Sequence, residues 1–105
     1  MSTHKLIRPS PIAGSWYSAD PHELESELLG YIEQATLPAI PGEITGLIAP
    51  HAGYFYSGKT AGYAYRAIAG KTFDVVVIVA PLHEFRPFNL LTSAHSAYAT
   101  PLGEV

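Results

Sequence analysis

Two histidines hold the chemistry this sequence can offer. His51 follows Ile48-Ala49-Pro50 and His83 follows Val79-Ala80-Pro81-Leu82, so each lies just past an apolar run. If those runs are neighbouring parallel strands, both imidazoles emerge side by side at the carboxyl edge of one sheet, where open α/β sheets place their ligands. Imidazole binds metals and moves protons near neutral pH. The pair therefore points to a metal or acid–base site, although two imidazoles alone do not complete one. A facial-triad iron site, for example, adds a carboxylate to two histidines.

Other residues take secondary places around this pair. Glu84 is a carboxylate beside His83, but adjacent residues on an extended segment diverge, so solvent or Arg86 is its expected partner. Tyr54 and Tyr56 could stack on an aromatic substrate or simply cover a sheet edge. Trp16, the only tryptophan, could line a pocket or pack in the core. His4, His22 and His95 fall in a tail, a first helical turn and a polar loop, and read as solvated.

Gly53-Tyr54-Phe55-Tyr56-Ser57-Gly58-Lys59-Thr60 matches the phosphate-binding pattern G-x-x-x-x-G-K-[ST]. Such a loop wraps backbone N–H groups around phosphate, and three successive aromatic rings suit that wrap poorly. The enzymes that use it also need an acid to help hold Mg²⁺, and the run ending at Ala80-Pro81 offers none. The favoured reading is a helix start with Lys59 in solvent. Nucleotide binding at 53–60 stays as a weaker alternative.

The elements that must position the histidines can be read from pattern. Asp20 can cap a helix that has Pro21 in its first turn and Glu23 in the capping-box position. Leu24, Leu28, Tyr31, Ile32 and Ala35 recur at helical spacing and define one buried face. Ile44 to Ala49 reads as a strand, residues 50–56 as an aromatic loop, and Ser57 as the cap of a second helix closed by Gly70. Phe73 to Ala80 is the strongest strand. Val75-Val76-Val77-Ile78-Val79 is apolar at consecutive positions, so both faces should be buried, as in a central parallel strand. Strand, helix and strand across 44–80 make a right-handed βαβ unit. Short strands are expected near Phe88–Leu91 and from Tyr98 onward. The fold class is α/β, with a mainly parallel sheet and flanking helices.

The bulk properties narrow the function. The 105 residues are 48% hydrophobic and 14% charged, in the range of a globular domain. A formal charge of −3 without a basic cluster argues against nucleic acid. With no cysteine, the chain offers neither a disulfide nor a thiolate ligand. No segment reads as a signal peptide or is long enough to span a bilayer, so the expected compartment is the cytoplasm.

Four blocks then fall into a familiar order. They are Ala13-Gly14-Ser15-Trp16-Tyr17, then Ala49-Pro50-His51-Ala52-Gly53-Tyr54 with Tyr56 and Gly58, then Pro81-Leu82-His83, and finally Tyr98-Ala99-Thr100-Pro101-Leu102. Together they resemble the Memo family, whose microbial members are also called AmmeMemoRadiSam system protein B. The resemblance covers nearly all of the chain and well under half of the family's usual length. It identifies residues 1–105 as the amino-terminal portion of a single Memo-like domain.

The resemblance implies an α/β fold like that of class III extradiol dioxygenases, which use non-haem iron. It assigns His51 and His83 to a metal pocket and implies catalytic roles for both. Fe(II), or another divalent ion such as copper or zinc, is the implied cofactor. A cysteine, an acid and a further histidine of the family pocket lie beyond the matched part. Trp16 and Tyr54 match aromatic residues at the pocket mouth and are the implied substrate-binding residues. Family members are linked to metal-dependent redox chemistry and, in animals, to phosphotyrosine peptides. Two functions follow: a metal-assisted redox enzyme whose third ligand comes from outside this chain, or a non-catalytic module that binds a peptide or phosphopeptide. The expected partner is a small molecule or a peptide. An open sheet edge also predicts self-association into a homo-oligomer.

Overall fold

A computed structural model describes residues 4–105. Its elements run β1 (Ile7–Arg8), α1 (Pro21–Gln34), α2 (Tyr54–Arg66), β2 (Ala97–Thr100) and β3 (Gly103–Glu104). The expected α/β class is found, and the sheet is mixed: β1 and β2 are parallel, while β2 and β3 are antiparallel.

α1 starts where its caps require. The Asp20 carboxylate accepts from the Glu23 backbone N–H at 2.8 Å. The return half of the capping box is rerouted through Ser18. Its hydroxyl donates to the Glu23 carboxylate at 2.6 Å and accepts from the Asp20 N–H at 3.2 Å. Leu24 and Ala35 are buried, with Leu28, Tyr31 and Ile32 half-buried between them, so the face read from spacing is the inner one.

That face receives α2, whose cap lies four residues earlier than expected. Gly53 is its cap, and the Gly53 carbonyl accepts from the N–H groups of Tyr56 and Ser57 at 2.9 and 3.1 Å. Ser57 therefore lies inside the helix, and its hydroxyl donates to the Ala52 carbonyl instead of capping. Gly58 and Gly62 are buried against Tyr31. A β-carbon on Gly62 would lie 2.4 Å from the Tyr31 carbonyl oxygen, so the helices meet backbone to backbone. Gly70 ends the following turn with φ +76°.

The small sheet joins the two ends of the described chain. Ile7 pairs with Ala97 and Arg8 with Tyr98. Ala99 pairs with Glu104 around a turn in which the Thr100 hydroxyl donates to the Gly103 carbonyl at 2.8 Å. Lys5 and Glu104 form an ion pair across it. Ala97 is the buried residue of this layer.

Three expected strands do not form. Residues 44–49, 73–80 and 88–91 are not in any ladder. The core strand read from Val75–Val79 is instead 69–87% exposed. A parallel strand takes its backbone bonds from neighbours on each side and its burial from helices on each face. Here the two helices pack on one another, and the sheet is built from the two chain ends. The βαβ unit across 44–80 is accordingly absent.

Candidate functional site

His51 and His83 still meet. Their ring centroids lie 5.3 Å apart with planes tilted by 31°. Each follows a proline that ends its apolar segment, and the two segments converge at those ends without exchanging ladder bonds. Both histidines are exposed. In a metal site each ligating nitrogen lies ~2.1 Å from the ion. Allowing for the ring radius, two imidazoles bound about 90–110° apart have centroids roughly 4.6–5.3 Å apart, and the pair lies at the upper end of that range. The observed spacing fits two ligands of one ion. Among the described residues no set of three His, Cys, Asp or Glu side chains could hold a metal, so no third ligand joins the pair. Glu84, the nearest carboxylate in sequence, turns to Arg86 at 2.7 Å, as its position suggested.

Trp16 and Tyr54 are brought together separately. Residues 12–17 form a turn in which Gly14 adopts φ +88° and its N–H donates to the Tyr17 carbonyl at 2.7 Å. That conformation is open to glycine and strained for other residues. The turn presents the Trp16 carbonyl to the Tyr54 N–H at 2.9 Å, which ties it to the first residue of α2. The Tyr17 and Tyr54 rings lie 5.3 Å apart.

Between this turn, α1 and α2 runs a groove of about 380 Å³, lined by Trp16, Tyr17, Tyr54, Phe55, Glu23 and Glu27 together with small residues of the turn. Burial raises the pKa of the Tyr54 hydroxyl, with further contributions from Tyr17, Tyr65 and Glu27. Glu27 accepts from the Tyr31 hydroxyl at 2.7 Å, and this bond is the main reason the Tyr31 pKa is raised as well.

The expected residues thus form two neighbouring clusters. The groove takes in Trp16 and Tyr54, while neither histidine lines it. Tyr56 also lies outside it, 83% exposed and edge-on to Phe55. Tyr17, Phe55, Glu23 and Glu27 were not anticipated as site residues. The spacing of Glu23, Glu27 and Tyr31 at every fourth position was the available signal, because it puts all three on one side of α1. The phosphate-loop alternative is corrected: residues Tyr54 to Thr60 are helical, so their backbone N–H groups cannot wrap an anion. A second cavity of about 480 Å³, near the carboxyl ends of α1 and α2, is lined by Glu33, Arg66 and Lys71 and contains none of the expected site residues. Among the described residues no helix is long and apolar enough to cross a membrane.

Fold and site together describe an α/β protein with paired, accessible histidines and a separate aromatic groove. The family model for Memo-like proteins matches residues 8–105, and the chain belongs to that family. It is 37% identical over 98 residues to the protein memo-1 homolog of Caenorhabditis elegans, covering 93% of this chain and 27% of the relative. It is 36% identical over 104 residues to a MEMO1 family protein of Nitrosopumilus maritimus, covering 95% of this chain and 38% of the relative. Protein MEMO1 of Danio rerio is 36% identical over 102 residues, 97% of this chain and 34% of the relative. The chain therefore spans roughly a third of the length of the curated relatives it matches.

Proposed function

We propose that His51 and His83 are the two-histidine half of a metal centre for redox chemistry, in a chain whose fold is part of an extradiol dioxygenase-like α/β domain. The observation that supports this is the 5.3 Å approach of the two rings, in a region covered by the Memo-like match. The donor set suits Fe(II), copper or zinc, because imidazole serves all three. When bound, such an ion would supply Lewis-acid or one-electron chemistry at positions open to substrate. The chain's own part is to hold the two imidazoles in place. Pro50 and Pro81 restrict the backbone just before each histidine. Trp16 and Tyr54 would receive the organic part of a substrate. A third ligand must come from residues outside 4–105 or from another polypeptide.

Anaerobic Fe(II) titration of the wild type and of His83→Ala tests this. The wild type should bind one ion per chain, and either His51→Ala or His83→Ala should weaken uptake by about tenfold or more, since each removes one of only two ligands. Equal uptake by wild type and variants would refute the half-site.

A second reading, a non-catalytic peptide module, is favoured by the groove that joins Trp16 to Tyr54. Loss of peptide affinity in Trp16→Ala, with affinity unchanged in His83→Ala, would support it over the metal reading.

A further inference from the structure

The groove beside Trp16 carries two carboxylates that the metal reading leaves unused. Its larger side chains are four aromatics, Trp16, Tyr17, Tyr54 and Phe55, and two carboxylates, Glu23 and Glu27; among the described residues no lysine, arginine or histidine lines it. Both carboxylates accept hydrogen bonds from neutral hydroxyls, Glu23 from Ser18 and Glu27 from Tyr31. Neither belongs to an ion pair among the described residues. Two negative charges therefore face the groove without a cation to balance them. A phosphorylated side chain entering it would meet like charge and find no cationic donor. A positive group would meet aromatic side chains, whose rings attract cations through their quadrupole, and two carboxylates.

We propose that this groove binds a bulky organic cation, a methylated ammonium group, with the rings against its methyls and Glu23 and Glu27 supplying the charge. Methylation matters because a bare ammonium is strongly hydrated and costs more to bring against aromatic surface. The volume of about 380 Å³ accommodates such a head group and part of its stem. The turn backbone and one carboxylate are held in place. Gly14 sets the turn, the Tyr54 N–H holds the Trp16 carbonyl, and the Tyr31 hydroxyl fixes Glu27. The proposal does not rest on the metal reading, since neither histidine lines the groove and either can fail alone.

Trp16, the single tryptophan, is a built-in reporter. The full chain is titrated with tetramethylammonium chloride while Trp16 fluorescence is followed, with sodium chloride at equal ionic strength and phenyl phosphate as comparisons. A saturable change with tetramethylammonium and none with sodium chloride is expected, with phenyl phosphate binding more weakly. Phe55→Ala and Glu27→Gln should each weaken the interaction by about fivefold. Phe55 is 90% exposed, so its truncation leaves the helix pair intact. Glutamine at 27 keeps both the volume and an acceptor for Tyr31. Lys71→Ala, in the other cavity, should bind as the wild type does. An equal response to sodium chloride, tighter binding of phenyl phosphate, or wild-type affinity in both groove variants would overturn the proposal.

Discussion

One hydroxyl, that of Tyr31, connects α1 to the start of α2. It lies 2.7 Å from Glu27 and 3.3 Å from the Tyr54 carbonyl, and the closer, charged acceptor takes the stronger bond. Ionising Tyr31 would remove the donor and set a phenolate against a carboxylate, which is why its pKa lies above 10.0. The sign for stability follows. A folded-state pKa above the unfolded value gives a contribution that is fully present below about pH 10 and is lost as pH rises through the raised value. Unfolding free energy from urea titrations should therefore fall above pH 10. The fall should be shallower in Tyr31→Phe, with Tyr54, whose pKa burial also raises, contributing to what remains. Identical alkaline profiles for wild type and Tyr31→Phe would show that the bond does not contribute. Asp20 is a simpler case. Its carboxylate satisfies an N–H at the start of α1, so Asp20→Ala should cost about 1 kcal/mol, read as a lower urea midpoint with an unchanged slope.

At the scale of elements, the contact of α1 with α2 depends on two glycines that are not equivalent. Alanine at either position would gain about 1 kcal/mol in helix propensity, so the sign rests on what a β-carbon meets. At Gly62 it meets the Tyr31 carbonyl oxygen at 2.4 Å, backbone that cannot yield unless the helices separate. At Gly58 it meets the Tyr31 ring at 2.6 Å, the end of a side chain that can rotate. Gly62→Ala should lose about 1–3 kcal/mol net, and Gly58→Ala distinctly less; thermal midpoints in that order would confirm the asymmetry, and the reverse order would refute it. This contact also shows what the amino-acid pattern could and could not reveal. α1 was legible because its signals are local: Asp20, Pro21 and Glu23 mark its start, and the run from Leu24 to Ala35 marks its face. The start of α2 was misplaced because Gly53 has no side chain to announce a cap, and Tyr54-Phe55-Tyr56 looks like a loop. The histidine pair was legible from two matching Pro-to-His contexts, although the strands expected to align the histidines do not form. The acidic, aromatic groove was not legible, because it arises only where the 12–17 turn meets both helices.

For the molecule as a whole, the decisive feature is the apolar run from Val75 to Val79. In a strand Val77 and Ile78 would present opposite faces, and here these residues are 80% and 85% exposed. Among the described residues nothing covers either face and no neighbouring strand uses the backbone, which makes the segment a template for pairing. Its pattern suits a central strand, but pattern determines only a preference; neighbours on both edges are what turn it into a ladder. Left to itself at high concentration, the chain should satisfy the segment with a second copy, as the open edge led us to expect. Sedimentation velocity should then give a mean mass that rises with concentration. Val77→Lys and Ile78→Lys, which charge one face each, should both shift the distribution toward the 11.3 kDa monomer. Exchange at the amides of residues 75–79 should slow on association, because pairing through this edge engages the backbone itself. The helix pair offers a control, since its buried contacts lie elsewhere and α1 and α2 amides should keep the same protection at every concentration. A wild type that remains monomeric throughout, with rapid exchange at 75–79, would show that exposed β-branched residues alone do not drive pairing in this chain.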